Sequence, residues 1–317
     1  MNKKKTLLIS ASALGALTVG SIGAIATIGN HFYNLALNPN ASKKGILDSN
    51  TQKESNKKKS YAELDWVLNS VEHSEVYIES YDKLKLSGYK IINNNLNDVW
   101  VITVHGYNAS NTNMIGFAKK FFEAGYNLLI PDLRGHGKSE GKYIGMGWED
   151  RLDIIKWIEY ILQDNTNAKI ILHGLSMGAA TVTMASGENL PSNVKAIIAD
   201  CGYTSALDQF TYKLKTVSSL PKSLVLNPTS LIAKIRAGYN LKDASSIEQV
   251  KKSKTPILFI HGDEDDFVPY YMMDELYTAA NCEKEKLTIK GAKHAESLTV
   301  NPELYWNTIN NFITKYL

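Results

Sequence analysis

The stretch Gly174-Leu175-Ser176-Met177-Gly178 stands between an apolar run, Lys169-Ile170-Ile171-Leu172-His173, and a segment of small and apolar residues, Ala179-Ala180-Thr181-Val182-Thr183-Met184-Ala185. The run reads as a buried strand and the segment as a helix, so the serine falls on the turn between them. So tight a turn holds its central residue in a strained backbone geometry and leaves no room for a side chain on either flank. Glycine at 174 and 178 meets that requirement.

The elements around this turn repeat its pattern. Strands are expected near Glu75–Ser80, Leu84–Ile92, Val99–His105, Tyr126–Pro131 and Val194–Asp200, with helices around Met114–Ala124 and Trp148–Gln163. Alternating strands and helices predict an α/β fold, a mostly parallel sheet covered by helices on both faces. In the helix from Trp148, residues Leu152, Ile155, Ile158 and Leu162 recur at helical spacing and are read as core. From Tyr203 to about Ser246 the chain is too long for a simple connection. Phe210, Tyr212, Leu214, Val217, Leu220, Leu224, Val225 and Leu226 make it apolar enough to pack, so it is read as a small helical cap at about 203–246 over the Ser176 pocket.

Downstream, the strand Pro256-Ile257-Leu258-Phe259-Ile260-His261-Gly262 runs into the acidic loop Asp263-Glu264-Asp265-Asp266-Phe267-Val268-Pro269. A carboxylate at the C-terminal end of such a strand can face the serine. A further strand, Lys286 to Lys290, ends in Gly291-Ala292-Lys293-His294, with the histidine on a loop. The chain order is thus serine, acid, histidine.

With these blocks in place, and with His105-Gly106-Tyr107 and Asp132-Leu133-Arg134-Gly135-His136-Gly137-Lys138-Ser139 beside them, the chain resembles the α/β-hydrolase superfamily, and more narrowly the exported or membrane-anchored bacterial hydrolases of esterase-like and lysophospholipase-like type. The resemblance covers about residues 75 to 317. It implies a Ser176, Asp265, His294 triad, with the acid third after the glycine of His261-Gly262. Asp263 and Asp266 stay open as alternatives within the same loop.

The chemistry then follows from residue types. A serine hydroxyl is a weak nucleophile at neutral pH, so His294 takes its proton during attack and returns one to the leaving group. The acid holds the imidazole in its working tautomer. Backbone N–H groups of Met177 and Tyr107 are expected to stabilise the oxyanion, a donor each worth about 3 kcal/mol in the barrier. Such an acyl-enzyme route calls for no organic cofactor or metal, and no His/Cys/Asp spacing reads as a metal site. Of the other histidines, His105, His173, His261 and His136 read as structural residues at strand ends and turns, and His31 and His73 lie outside every block.

The expected function is a serine hydrolase, a carboxylesterase on small to medium acyl esters. A serine peptidase or lysophospholipase would use the same triad, and a surface binding protein that kept the fold without turnover is the alternative of another class. The partner expected is a small-molecule ester, and no obligate protein partner is evident.

The chain of 317 residues exceeds one catalytic domain of about 250 residues, and the excess lies at the N-terminus. Residues 1–5 carry three lysines; 6–29, from Thr6 to Gly29, carry no charge and are long enough as a helix to cross a ~30 Å hydrocarbon core. This stretch is read as a single-pass membrane anchor with the catalytic domain outside the cytoplasm. Ala24-Ile25-Ala26 also fits a signal-peptidase site, so a secreted form is the alternative. Residues 30–60 are read as a polar, Lys-rich stalk and 61–317 as the hydrolase domain, so residues 1–37 are expected to be dispensable for catalysis. Lys3 to Lys5 carry +3 and residues 38–60 carry +4, against a chain total of +3, which leaves about −4 on residues 61–317. A domain of that charge has no reason to bind nucleic acid. Cys201 and Cys282 are expected to be free thiols.

Overall fold

The computed structural model describes residues 23, 25–41, 65–93, 98–217 and 219–317. Eight strands form one sheet: β1 (His73–Glu79), β2 (Lys85–Ile91), β3 (Val99–Val104), β4 (Asn127–Pro131), β5 (Lys169–Leu175), β6 (Val194–Asp200), β7 (Ile257–Gly262) and β8 (Lys284–Ile289). Their order is β1-β2-β4-β3-β5-β6-β7-β8. From β4 through β8 every pairing is parallel, and β1 and β2 add an antiparallel edge. Strands β3, β4 and β7 are buried at every residue, as their unbroken Val/Ile/Leu-rich runs require when helices cover both faces.

The helices are α1 (residues 25–37), then α2 (Ile115–Glu123), α3 (Asp150–Asp164), α4 (Met177–Ala185), α5 (Ala206–Val217), α6 (Lys222–Ala237), α7 (Ser246–Val250), α8 (Tyr271–Ala279), α9 (Ser297–Val300) and α10 (Pro302–Tyr316). On one side of the sheet, α2 and α10 bury Phe117, Phe121, Tyr305, Ile309 and Phe312. On the other, α1, α3, α4 and the 206–250 segment contribute to a second core cluster. The acidic and histidine loops leave the C-terminal ends of neighbouring strands β7 and β8, and the serine turn leaves the end of β5. Parallel strands bring these ends to one rim of the sheet.

Two expectations need correction. In α3 the buried apolar face is Ile154, Trp157, Ile158 and Ile161, whereas Leu152, Ile155 and Leu162 are only half-buried. The inward face also carries one partner of a buried ion pair: Arg134, 1% exposed, donates from Nε and Nη2 to Asp153 at 2.7 and 2.8 Å. A charge pair taken out of water has to keep both partners together, so Asp153 turns inward on the same side as Ile154 and Trp157.

The second correction concerns the start of the 30–60 stalk. Residues 28–41 are packed on the domain, with Gly29, Tyr33, Ala36 and Leu37 buried on one face of α1 at helical spacing. The Tyr107 hydroxyl donates to Ala36 O at 2.6 Å and the Ile144 N–H to Leu37 O at 2.8 Å. The segment carries no lysine before Lys43 but does carry Phe32, Tyr33, Leu35 and Leu37, enough apolar surface to dock. Residues 1–5, residues 6–22 and 24 of the Thr6–Gly29 stretch, and the stalk from residue 42 to 60 lie outside the described residues. Among the described residues no helix is long and apolar enough to cross a membrane.

In the 203–246 segment, Phe210, Leu214, Val225 and Leu226 are buried, while Leu220 and Leu224 are each 50% exposed. Helix α5 leans on the acidic loop: Gln209 Nε2 donates to Phe267 O at 2.8 Å and the Tyr212 hydroxyl to Asp266 O at 3.3 Å.

Candidate active site

Ser176 sits at φ 56° and ψ −114°, between the last residue of β5 and the first of α4. Its N–H donates to Asp200 O at 2.8 Å, which ties the turn to β6. A Cβ on Gly174 would run into the Gly178 carbonyl, and one on Gly178 into the carbonyl of Val104 on β3. The two glycines let the serine turn, α4 and β3 approach within backbone contact. Gly106 is close as well, since a Cβ built there would stand 3.3 Å from Ser176 Cβ. This brings the Gly106-Tyr107 segment beside the serine and opposite Met177.

The serine, histidine and acid expected from the sequence meet in one hydrogen-bonded chain. Ser176 Oγ lies 2.9 Å from His294 Nε2, and His294 Nδ1 lies 2.7 Å from Asp265 Oδ2. With the carboxylate accepting from Nδ1–H, Nε2 is left to accept the serine proton. The other oxygen of Asp265 accepts from the N–H groups of Phe267 and Val268 at 2.9 and 2.8 Å, which fixes the carboxylate plane. Burial pushes the Asp265 carboxyl up, but hydrogen bonds from His261 and His294 outweigh that and hold it well below the ordinary carboxylate range. Asp263 and Asp266 are exposed; Asp263 caps the other loop by accepting from Gly291 N–H at 2.7 Å. His294 follows Gly291 at φ 75° and precedes Ala295 at φ 60°, two left-handed residues that swing the loop over the serine.

The remaining histidines divide. His105 accepts from Leu133 N–H at Nε2 (3.0 Å) and donates from Nδ1 to Gly106 O (2.8 Å), so it pins the Gly106-Tyr107 segment. Burial pushes its pKa down to about 3. His173, buried beside Phe117 and Phe121, is likewise lowered to about 3 by burial. His261 is different: its Nε2 donates to Val268 O at 2.8 Å and stands 3.2 Å from Asp265 Oδ2, so the acid lies between two imidazoles.

From the sequence His261 reads as a structural residue and Asp200 only as the end of a strand. The latter's carboxylate accepts from the Tyr305 hydroxyl at 3.0 Å and the Ser297 hydroxyl at 3.3 Å, directly behind the histidine loop. Burial raises its pKa to about 6 against the Tyr305 hydrogen bond. The signal was available, because Asp200 ends an apolar strand just as the acidic loop follows one. Cys201, Asp265 and His294 offer ligand atoms within 4.8 Å of one another, but Asp265 and His294 are already bonded to each other.

Beside Ser176 opens a cavity of about 320 Å³, mouth included, lined by Tyr107, Met146, Met177, Tyr203, Gln209, Phe210, Phe267 and Val268. Both tyrosine hydroxyls point away to backbone carbonyls, Tyr107 to Ala36 and Tyr203 to Met146, so the walls are largely apolar.

Comparison with known proteins gives consistent likenesses. A family model described as alpha/beta hydrolase fold matches residues 99–219. The uncharacterized protein YqkD of Bacillus subtilis is 31% identical over 215 residues, 67% of this chain and 70% of that protein. The alpha/beta hydrolase domain-containing protein WAV2 of Arabidopsis thaliana is 28% identical over 204 residues, 60% of this chain and 61% of its own length. Among solved structures, an esterase of Pyrococcus furiosus matches at 27% identity with a TM-score of 0.62, over 78% of this chain and 92% of that one. An acylaminoacyl peptidase of Pyrococcus horikoshii, 20% identical with a TM-score of 0.57, covers 79% of this chain with 44% of its own and shares the fold.

Proposed function

The chain belongs to the α/β-hydrolase family, and from that premise we propose that it is a serine hydrolase working through an acyl-enzyme, a carboxylesterase on small to medium acyl esters. The observation that carries the reading is the Ser176–His294–Asp265 chain, with contacts of 2.9 and 2.7 Å, at the edge of an apolar cavity. Ser176 attacks the ester carbonyl while His294 Nε2 takes its proton. Asp265 holds the tautomer and stabilises the imidazolium. Charge on the carbonyl oxygen is met by the N–H groups of Met177 and Tyr107, the second held in position through His105. His294 then protonates the leaving alcohol, and water repeats the sequence to free the acid. The cavity's largely apolar walls favour an apolar acyl chain over a polar head.

The reading extends to location. The uncharged Thr6–Gly29 stretch, preceded by three lysines, would hold the enzyme at the outer face of the cell membrane. Its chemistry is tested by a fluorophosphonate probe and a panel of p-nitrophenyl esters beside aminoacyl amides. Wild type should be labelled and turn over short esters faster than amides. Ser176→Ala should take up no label and lose several orders of magnitude in rate, with its thermal midpoint nearly unchanged. More than about a tenth of the wild-type rate in that variant would remove Ser176 as the nucleophile.

A further inference from the structure

One polar group in the cavity wall has no role in the mechanism above. Gln209, on α5, is 4% exposed and lines the cavity beside Ser176. Its amide orientation is set by Phe267 O, which can only accept and so takes the Nε2–H at 2.8 Å. The other end, Oε1, is buried without a hydrogen-bond partner. Every other polar side chain of the wall is already bonded: Tyr107 to Ala36 O, Tyr203 to Met146 O, and Ser176 to His294. The rest of the lining is Met146, Met177, Phe210, Phe267 and Val268. The cavity wall is therefore largely apolar, and Gln209 is its one polar side chain with an unanswered atom, its amide held by the acidic loop that carries Asp265.

An unanswered buried acceptor destabilises any complex that leaves it so and favours one that answers it. We propose that Gln209 is a specificity residue whose Oε1 accepts a hydrogen bond from an O–H or N–H group of the substrate, so that preferred esters carry a hydroxyl or amide donor within a few bonds of the scissile carbonyl. This rests on the serine-hydrolase reading and narrows its substrate class. A pocket built around such an acceptor discriminates by leaving it unpaired when the donor is missing, whereas a purely apolar wall would penalise the hydroxylated substrate for its lost hydration.

The test is a matched panel of p-nitrophenyl esters with a hydroxyl at C2, C3 or C4 of the acyl chain or on the alcohol side, each beside its deoxy partner, assayed with the full chain. In wild type, one donor position should raise kcat/KM over its partner by roughly tenfold to a hundredfold, the range one unanswered buried acceptor produces. Gln209→Met, which keeps length and removes the acceptor, should erase that preference, and Gln209→Glu, which keeps an acceptor, should retain part of it. Wild type indifferent to the donor at every position would overturn the proposal. So would a preference undiminished in Gln209→Met, or, should that variant be misfolded, one equal to wild type in Gln209→Leu. A wild-type chain that takes up no fluorophosphonate fails the hydrolase reading itself; one that is labelled, cleaves plain esters and ignores the donor fails this inference alone.

Discussion

Asp265 has acidic neighbours at Asp263, Glu264 and Asp266, yet it alone reaches His294, because its second oxygen is clamped by the N–H groups of Phe267 and Val268. Asp265→Asn should therefore lower kcat by roughly 10⁴, the scale seen when the acid of a serine protease triad is neutralised, while Asp263→Asn and Asp266→Asn cost far less. A steady-state comparison of the three decides it, and Asp263→Asn or Asp266→Asn as the most damaging change would mean the acid is misassigned. The serine turn was legible because two glycines at fixed spacing report a backbone demand. Which acid meets the histidine was open on loop residues alone, and the place of His261 beside Asp265 was not legible at all. A histidine before a glycine at a strand end looks the same whether it meets a carbonyl or a carboxylate.

At the scale of elements, α1 shows where composition misleads. Residues 30–41 stand next in sequence to the lysines after 42, but three buried residues on one helical face, Tyr33, Ala36 and Leu37, are enough to dock them. Removing residues 1–22 should leave stability and rate unchanged. Removing residues 1–41 should lower stability by roughly 3 kcal/mol or more, from loss of fully buried Leu37 and most of Tyr33. It should also lower kcat, because Tyr107 loses the Ala36 carbonyl that anchors its ring. Thermal melts and short-ester kinetics on the two truncations check this; equal behaviour would make α1 a passive passenger. Glu149, 8% exposed at the N-terminus of α3, belongs to the same junction. Burial raises its pKa from 4.5 to about 7, opposed by the Arg134 charge and reinforced by Asp150. A carboxyl raised in the folded state favours folding at low pH, and that contribution is lost as pH climbs toward and through about 7. The thermal midpoint should therefore fall between pH 5 and 8 less steeply in Glu149→Gln than in wild type, Asp200 supplying part of the slope that remains. Identical slopes would discount the group. The face of α3 was misread for a related reason: hydrophobic periodicity cannot see that Asp153 is drawn inward by Arg134.

For the whole molecule, the docking of α1 changes what membrane attachment would look like. The apolar stretch from Thr6 leads in sequence into α1, and α1 is held to the body of the molecule by burial of Tyr33, Ala36 and Leu37. If the stretch anchors the chain, activity should sediment with membranes and remain there after carbonate extraction. If the Lys-rich residues form the solvated stalk their composition predicts, trypsin applied outside intact cells should cut at lysines between 43 and 59. Cutting there severs the chain between α1 and the body but leaves Tyr33, Ala36 and Leu37 in their sites, so most activity should stay on the membrane until mild denaturant undocks the helix. Immediate release of active enzyme on cutting would mean that α1 is only loosely held. A mature N-terminus at Thr27 in the culture medium would instead establish a secreted enzyme that keeps most of α1, and activity confined to the cytosol would overturn both locations.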